Sequence, residues 1–206
     1  YNVHRWTGTA GTSRSPDPER ASFVISELGA DVLALQEVIR PFAGEDPLVR
    51  LADQLRLHVA FVATRIHRQG ELGNAILSRF PILHSHNQDV THLQFEKRGL
   101  LHCRIELPEG PAAHCVCVHL SLFGYSRRRQ MDALADYLDR MAEPDAPLII
   151  AGDFNDWSNR AGEHLARRLT LQEVFSGHNG SPARSFPAAM PMFRLDRIYV
   201  RGFDIK

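Results

Sequence analysis

The sequence predicts a layered α/β protein, and three observations lead there. Unbroken apolar runs such as "DVLALQEV" and "LIIAG" recur, of the kind a strand buried on both faces presents. Amphipathic stretches with helix start signals alternate with them. The 206 residues are 44% hydrophobic and 23% charged, enough apolar surface for one sizeable core.

In order along the chain, Asp17 and Pro18 open a helix with Ala21, Val24, Ile25 and Leu28 on one face, and Gly29 stops it. Val32 to Leu35 follow as a buried strand that ends in the polar pair Gln36 and Glu37. Asp46 and Pro47 start a second helix, whose stripe is Leu48, Leu51, Ala52 and Leu55. "NAILSRFPI" and "AHCVCVHLSL" read as further buried strands. A long helix starts near Ser126, with Met131, Leu134, Ala135, Leu138 and Met141 facing inward. "LIIAG" and "RLDRIYV" are the last strands. Short turns link some strands and helices link others, which is the pattern of a protein built in layers.

Charge and cysteine usage exclude several classes. Lys plus Arg equals Asp plus Glu at 24 each, so no overall field draws the chain to nucleic acid or to an anionic membrane. Cys103, Cys115 and Cys117 are too few for a disulfide framework or a closed zinc site and are expected as reduced thiols in strands. No apolar stretch approaches the roughly 20 residues of a membrane span, and no basic-then-apolar leader opens the sequence. A cytoplasmic location is therefore expected, although a start at Tyr1 is compatible with a leader removed earlier. Nothing in the sequence sets an oligomeric state.

The polar residues at strand ends carry the chemistry. Asn2 lies in "YNVH", Glu37 ends "LQEV", His119 ends "CVCVH", Asp153 and Asn155 follow "LIIAG", and Asp196 opens "DRIYV". Ligands of α/β sheets gather at strand ends. Two carboxylates with amides beside them and no cysteine form a hard oxygen-donor set, suited to Mg²⁺ or Mn²⁺ rather than zinc. If extension persists past Gly152, Asp153 and Asn155 point the same way; the alternative is a turn, in which short polar side chains bond their own backbone. His84 and His86 in "HSH" resemble a metal pair but sit on a strand edge, where polar side chains are ordinary, and Trp157 is expected to pack.

The blocks "YNVH", "DVLALQEV", "GNAILSRFPI", "VHLSL", "IIAGDFNDW" and "SFPAAMPMFRLDRIYV" resemble, in order and over nearly the whole chain, those of the endonuclease/exonuclease/phosphatase superfamily, as a bacterial-type member with the DNase I-like fold. "GDFN" alone is modest evidence, but "LQEV" upstream and "RLDRIYV" downstream make chance agreement improbable. The resemblance implies a four-layer sandwich of two mixed β-sheets packed face to face, with helices outside. It implies a hydrolase that cleaves a phosphodiester or phosphomonoester by attack of water, with Mg²⁺ or Mn²⁺ as cofactor. Glu37 matches the metal-binding glutamate, and Asn2 the asparagine that helps hold metal and phosphate. Asp153 matches the aspartate that positions or deprotonates water, and Asn155 its partner amide toward a phosphate oxygen. His119 matches the histidine that protonates the leaving oxygen, a task its ordinary pKa of about 6.5 suits. Glu71, in "ELGNAILS", is the expected orienting carboxylate for that histidine. Arg128, within the run Arg127 to Arg129, is a candidate phosphate or headgroup contact, with a solvated face as the alternative; Asn74 and Arg5 are further candidates to line the cleft.

One departure from the family is clear. The usual "SDH" beyond the "LDRI" strand does not occur before Lys206, so Asp196 lacks the histidine it normally pairs with, and His178 in "SGHNGSPAR" does not replace it. The expectation is a single domain over residues 1–206 of a longer protein, missing the start of its first strand and the "SDH" segment. A chain ending at Lys206 is then expected to be nearly inactive, since losing a transition-state donor costs about two or three orders of magnitude. A small or lipid-linked phosphate ester is the expected substrate. A DNase-like nuclease and a catalytically impaired binding module are the alternatives, because fold analogy does not choose among substrates.

Overall fold

The computed structural model describes residues 1–7, 17–157, 160–186 and 190–205; part of the "SFPAAMPMF" block and the side chain of His178 lie outside the described residues. Local signals set the first helix. Asp17 accepts the Arg20 N–H at 3.0 Å to open α1 (Pro18–Leu28), and Gly29 closes it in the left-handed conformation. The stripe is narrower than expected: Ile25 is its buried residue, while Val24 and Leu28 are exposed. After it come β1 (Val32–Pro41), α2 (Pro47–Leu55), β2 (His58–His67) and β3 (Gly70–Ser78). Then follow β4 (Ile82–Asp89), β5 (Gly99–Ile105), β6 (Ala113–His119), α3 (Gly124–Met141) and β7 (Leu148–Asp153). The chain continues through α4 (Arg160–Arg168), β8 (Gln172–Glu173), α5 (Val174–Asn179) and β9 (Asp196–Arg201). "NAILSRFPI" thus spans the end of β3 and the start of β4, α3 begins ahead of Ser126, and Met141 at its end is exposed.

The strands form two sheets. One has the order β1-β3-β2 and is antiparallel, with a parallel bridge from Asn2 to Gln36 at its edge; the other has the order β4-β5-β6-β7-β9-β8 and is mixed, with β6 and β7 parallel. The parallel pair needs a crossover, which α3 supplies. Alternation along the strands sorts side chains into layers. In β6, Val116 and Val118 meet Leu134 and Leu138 of α3, whereas Cys115 and Cys117 meet Ala60 and Ile76 of the other sheet. On the far side of the small sheet, Leu35 and Leu77 pack with Ile25 of α1 and Leu51 of α2. Helices, sheet, sheet and helices are therefore four layers, as expected, and the three cysteines are buried free thiols.

Candidate active site

The same alternation decides where the strand-end residues point. His119 shares its parity with Cys115 and Cys117, so it faces the small sheet and not α3. In the ladder His119 is the partner of Asp153, and Asp153 is the partner of Asp196, which puts the three on one rung across β6, β7 and β9. The His119 Nε2 lies 3.9 Å from the Asp153 Oδ2. Gly152, just before Asp153, has φ +145°, and a Cβ there would strike the Val118 carbonyl oxygen and crowd the Gln36 amide. Glycine is what lets the rung close against the other sheet.

Glu37 arrives from that sheet through a bulge. The register shifts between Leu35 and Val38, so Gln36 and Glu37 together face the single residue Asn74 of β3, and Glu37 adopts φ +55°. The strand does not end at this polar pair, as the sequence suggested; it kinks there and continues to Pro41. Gln36 turns inward and donates to the Cys117 Sγ at 3.2 Å. Glu37 turns to the rim, where its Oε1 accepts from the Asn2 amide at 3.1 Å and its Oε2 lies 3.6 Å from the His4 Nδ1.

Asp153 and Asn155 do not point the same way along a continuing strand. β7 ends at Asp153, whose Oδ1 accepts the Asn155 N–H at 2.9 Å, and Asn155 takes φ +48°. The Asn155 amide is buried and donates to the Leu120 carbonyl at 2.9 Å, fastening the Asp153 turn to the segment after His119. The turn alternative is thus the one observed.

Charge is concentrated on this rung. Burial, then the neighbouring Asp196 carboxylate, push Asp153 up to about 7, with Glu37 adding in the same direction; the Asn155 N–H and Arg98 oppose the rise. His119 is pushed down to about 3 by burial, then by Arg98, Arg65 and His4, so the ordinary histidine pKa expected for a proton donor does not hold in the free protein. Glu71 is not the carboxylate beside it. Glu71 sits three residues ahead of Asn74, opposite Arg40 and Ile66, and among the described residues Asp153 is the acid within 4 Å of His119. Asn74 is buried and spends a donor on the Gly99 carbonyl at 3.0 Å. Arg5 lies exposed in the turn at His4–Trp6, and Trp157 meets Phe193 edge-on at 4.8 Å.

Arg128 is exposed on α3, whereas Arg127 folds back to donate to the Ser121 and Leu122 carbonyls at 3.0 and 3.2 Å. Of the arginines that act on the rung, Arg98 acts on both His119 and Asp153. It pairs with Glu96 at 3.0 Å and keeps a buried Nε without a hydrogen-bond partner. Sequence reasoning missed Arg98 and His4; an arginine directly ahead of the buried run of β5 was the available signal for the first.

Among the described residues, no three His, Cys, Asp or Glu side chains are drawn together tightly enough to hold a metal ion. The donor set nonetheless fits a divalent cation in chemistry and charge. Its oxygens are hard, and the mutual repulsion that raises Asp153 is what a cation relieves.

A profile of the Endonuclease/Exonuclease/phosphatase family matches residues 10–206. The chain belongs to this family. It is 38% identical over 212 residues to YbhP of Escherichia coli K12, a match covering 98% of this chain and 83% of that protein. An endonuclease/exonuclease/phosphatase from Beutenbergia cavernae superposes with a TM-score of 0.79 at 20% identity, over 98% of this chain and 62% of that one. The catalytic domain of human Nocturnin, solved with a bound sulfate anion, does so at 0.73 and 20% identity, over 98% and 81%. The structural matches establish the family's fold for this chain, and with it the four-layer arrangement.

Proposed function

We propose that the protein is a divalent-metal-dependent hydrolase of phosphate esters, with residues 1–206 lying in one domain that includes the candidate site but not the "SDH" segment. The observation that carries this reading is the single rung of His119, Asp153 and Asp196 facing the bulge that presents Glu37. Glu37 and Asn2 would hold Mg²⁺ or Mn²⁺, which when bound neutralises charge developing on the phosphoryl oxygens. Asp153, which burial and Asp196 raise in the metal-free protein, would take a proton from water at its free carboxylate oxygen, a role suited to a carboxylate shifted toward the working pH. Asn155 fixes the turn that aims Asp153, and Arg98 supplies positive charge for the ester's oxygens. His119 is neutral in the free protein, and the negative charge of an arriving ester favours the protonated form that gives its proton to the leaving oxygen.

Two soluble esters test the reading, bis(p-nitrophenyl) phosphate and p-nitrophenyl phosphate, each assayed with Mg²⁺, Mn²⁺ or chelator. In a form that includes the "SDH" segment, turnover that chelator abolishes and Asp153→Asn removes is the expected result. Turnover indifferent to both would sink it. Plasmid DNA cleaved far faster than phospholipid or inositol phosphate would move the substrate to nucleic acid while leaving the reaction in place.

A further inference from the structure

Beside the His119 end of β6 the surface is apolar where a solvated rim is usual. Leu122, Phe123 and Tyr125 follow Ser121 into the first turn of α3 and are 58%, 53% and 66% exposed, and Phe95 of the β4–β5 connection is 75% exposed. Phe95 meets Phe123 edge-on at 6.0 Å, so two separate segments build one patch. Their exposure does not come from a loose backbone. Ser121 donates to the Glu96 carboxylate and receives the Phe123 N–H at 3.1 Å, its own N–H donates to Gln130 at 2.8 Å, and Arg127 holds two carbonyls. Single exposed apolar side chains are ordinary, but a fixed cluster of them marks an interaction surface.

Exposed charge along the two segments that build the patch is of one sign. The only carboxylate in residues 92–98 and 121–129 is Glu96, which is turned inward onto Ser121 and Arg98. Lys97, Arg128 and Arg129 are exposed. Arg129 lies over the Tyr125 ring, 5.0 Å from its centroid, and donates to its hydroxyl at 2.8 Å. In a chain of zero formal charge this is a local concentration of cations around apolar tips.

We propose that this rim docks on an anionic lipid bilayer, with Phe95, Leu122 and Phe123 entering the acyl boundary and Lys97, Arg128 and Arg129 meeting the phosphates. Amphipathic surfaces bind membranes by this division of labour. Single-stranded nucleic acid fits less well, because stacking needs open aromatic faces: Phe95 and Phe123 meet edge to face, Arg129 covers a face of Tyr125, and Leu122 has none. The proposal deepens the hydrolase reading and rests on it, since it names the surface on which the ester is met. The arginine run at the start of α3, unfavourable toward the helix dipole by itself, gains anionic partners there.

Co-sedimentation of the full chain with phosphatidylcholine vesicles, with and without phosphatidylglycerol, tests it at low and high salt. The protein is expected to pellet with the anionic vesicles only. Partitioning should fall about a hundredfold in the Phe95→Ser, Phe123→Ser double variant, and about fivefold in Arg128→Gln. Phe123 is the N-cap of α3, where serine is favoured, so the double variant should fold. Asp153→Asn should bind vesicles like the parent, and a parent protein that binds vesicles but turns over no ester with Mg²⁺ or Mn²⁺ fails only the hydrolase reading. No pelleting, pelleting unaffected by the two serines, or tighter binding of oligothymidylate through the same residues overturns the docking surface.

Discussion

β6 carries a histidine near each end, and the two differ in face, partners and burial. His114 faces α3 and is bonded on both ring nitrogens: Nδ1 to His102 Nε2 at 2.9 Å, and Nε2 to Glu143 at 3.2 Å. His102 in turn meets the Tyr137 hydroxyl through its Nδ1 at 2.8 Å. Donor and acceptor counting gives this chain one consistent polarity, from Tyr137 O–H through His102 and His114, both neutral, to the Glu143 carboxylate. His119, five residues on and therefore on the opposite face, approaches its nearest acid at 3.9 Å, longer than a hydrogen bond. One end of the strand uses up the hydrogen-bonding capacity of its imidazoles internally, and the other holds its imidazole beside Asp153 at more than hydrogen-bond distance. That difference separates a histidine that holds structure from one available to a substrate.

The sharpest way to break the contrast lies at the open end. Asp153→Asn should lower ester turnover by about three orders of magnitude. The melting temperature should stay level or rise, because the change removes a carboxylate that burial and Asp196 already disfavour. Steady-state rates and a thermal melt check both halves; a fall in stability as large as the fall in rate would make Asp153 structural and erase the distinction.

Acid should act on the closed end. Burial, then His114, push His102 down to about 4. Between that value and the unfolded one of about 6.5 the unfolded chain binds more protons, so stability is complete above about pH 6.5 and falls as the pH drops toward 4, by about 3 kcal/mol for this residue. His119 shifts in the same direction and adds to the slope. Urea melts across this range should show it. A smaller loss, about 2 kcal/mol at neutral pH, is expected for His102→Leu, which strands the Tyr137 hydroxyl and His114 Nδ1. The variant should also flatten the acid limb and keep its ester turnover; lost turnover would mean that the two ends of β6 are coupled.

What was legible in the sequence follows from how local each feature is. Asp17, Pro18 and Gly29 mark a helix because caps act within a turn of chain. His119, Asp153 and Asp196 were readable as strand ends, and the ladder then puts them on one rung. The bulge at Gln36 and Glu37 was not readable, since it shows only against the register of β3. Glu71 matches only by its position in a sequence block, and it sits opposite Arg40 instead. Arg98 reaches His119 because Glu96 ties its loop to Ser121, a contact 25 residues apart that no periodicity announces.

The smallest effect is expected at Glu143, and it tests whether the histidine chain is closed at all. Glu143 is exposed and accepts from a buried His114, so water replaces it readily in Glu143→Ala, and neither turnover nor stability at neutral pH should change measurably. Its charge does act on His114: burial lowers the imidazole's pKa, and Glu143 opposes that fall through its hydrogen bond and its charge. Removing it should therefore move the His114 titration further down and leave His119 where it was, which a ¹⁵N imidazole titration by NMR would resolve. A shift at His119, or a changed rate, would show that protons or strain pass along β6 from one end to the other, and the two histidines would then belong to one device.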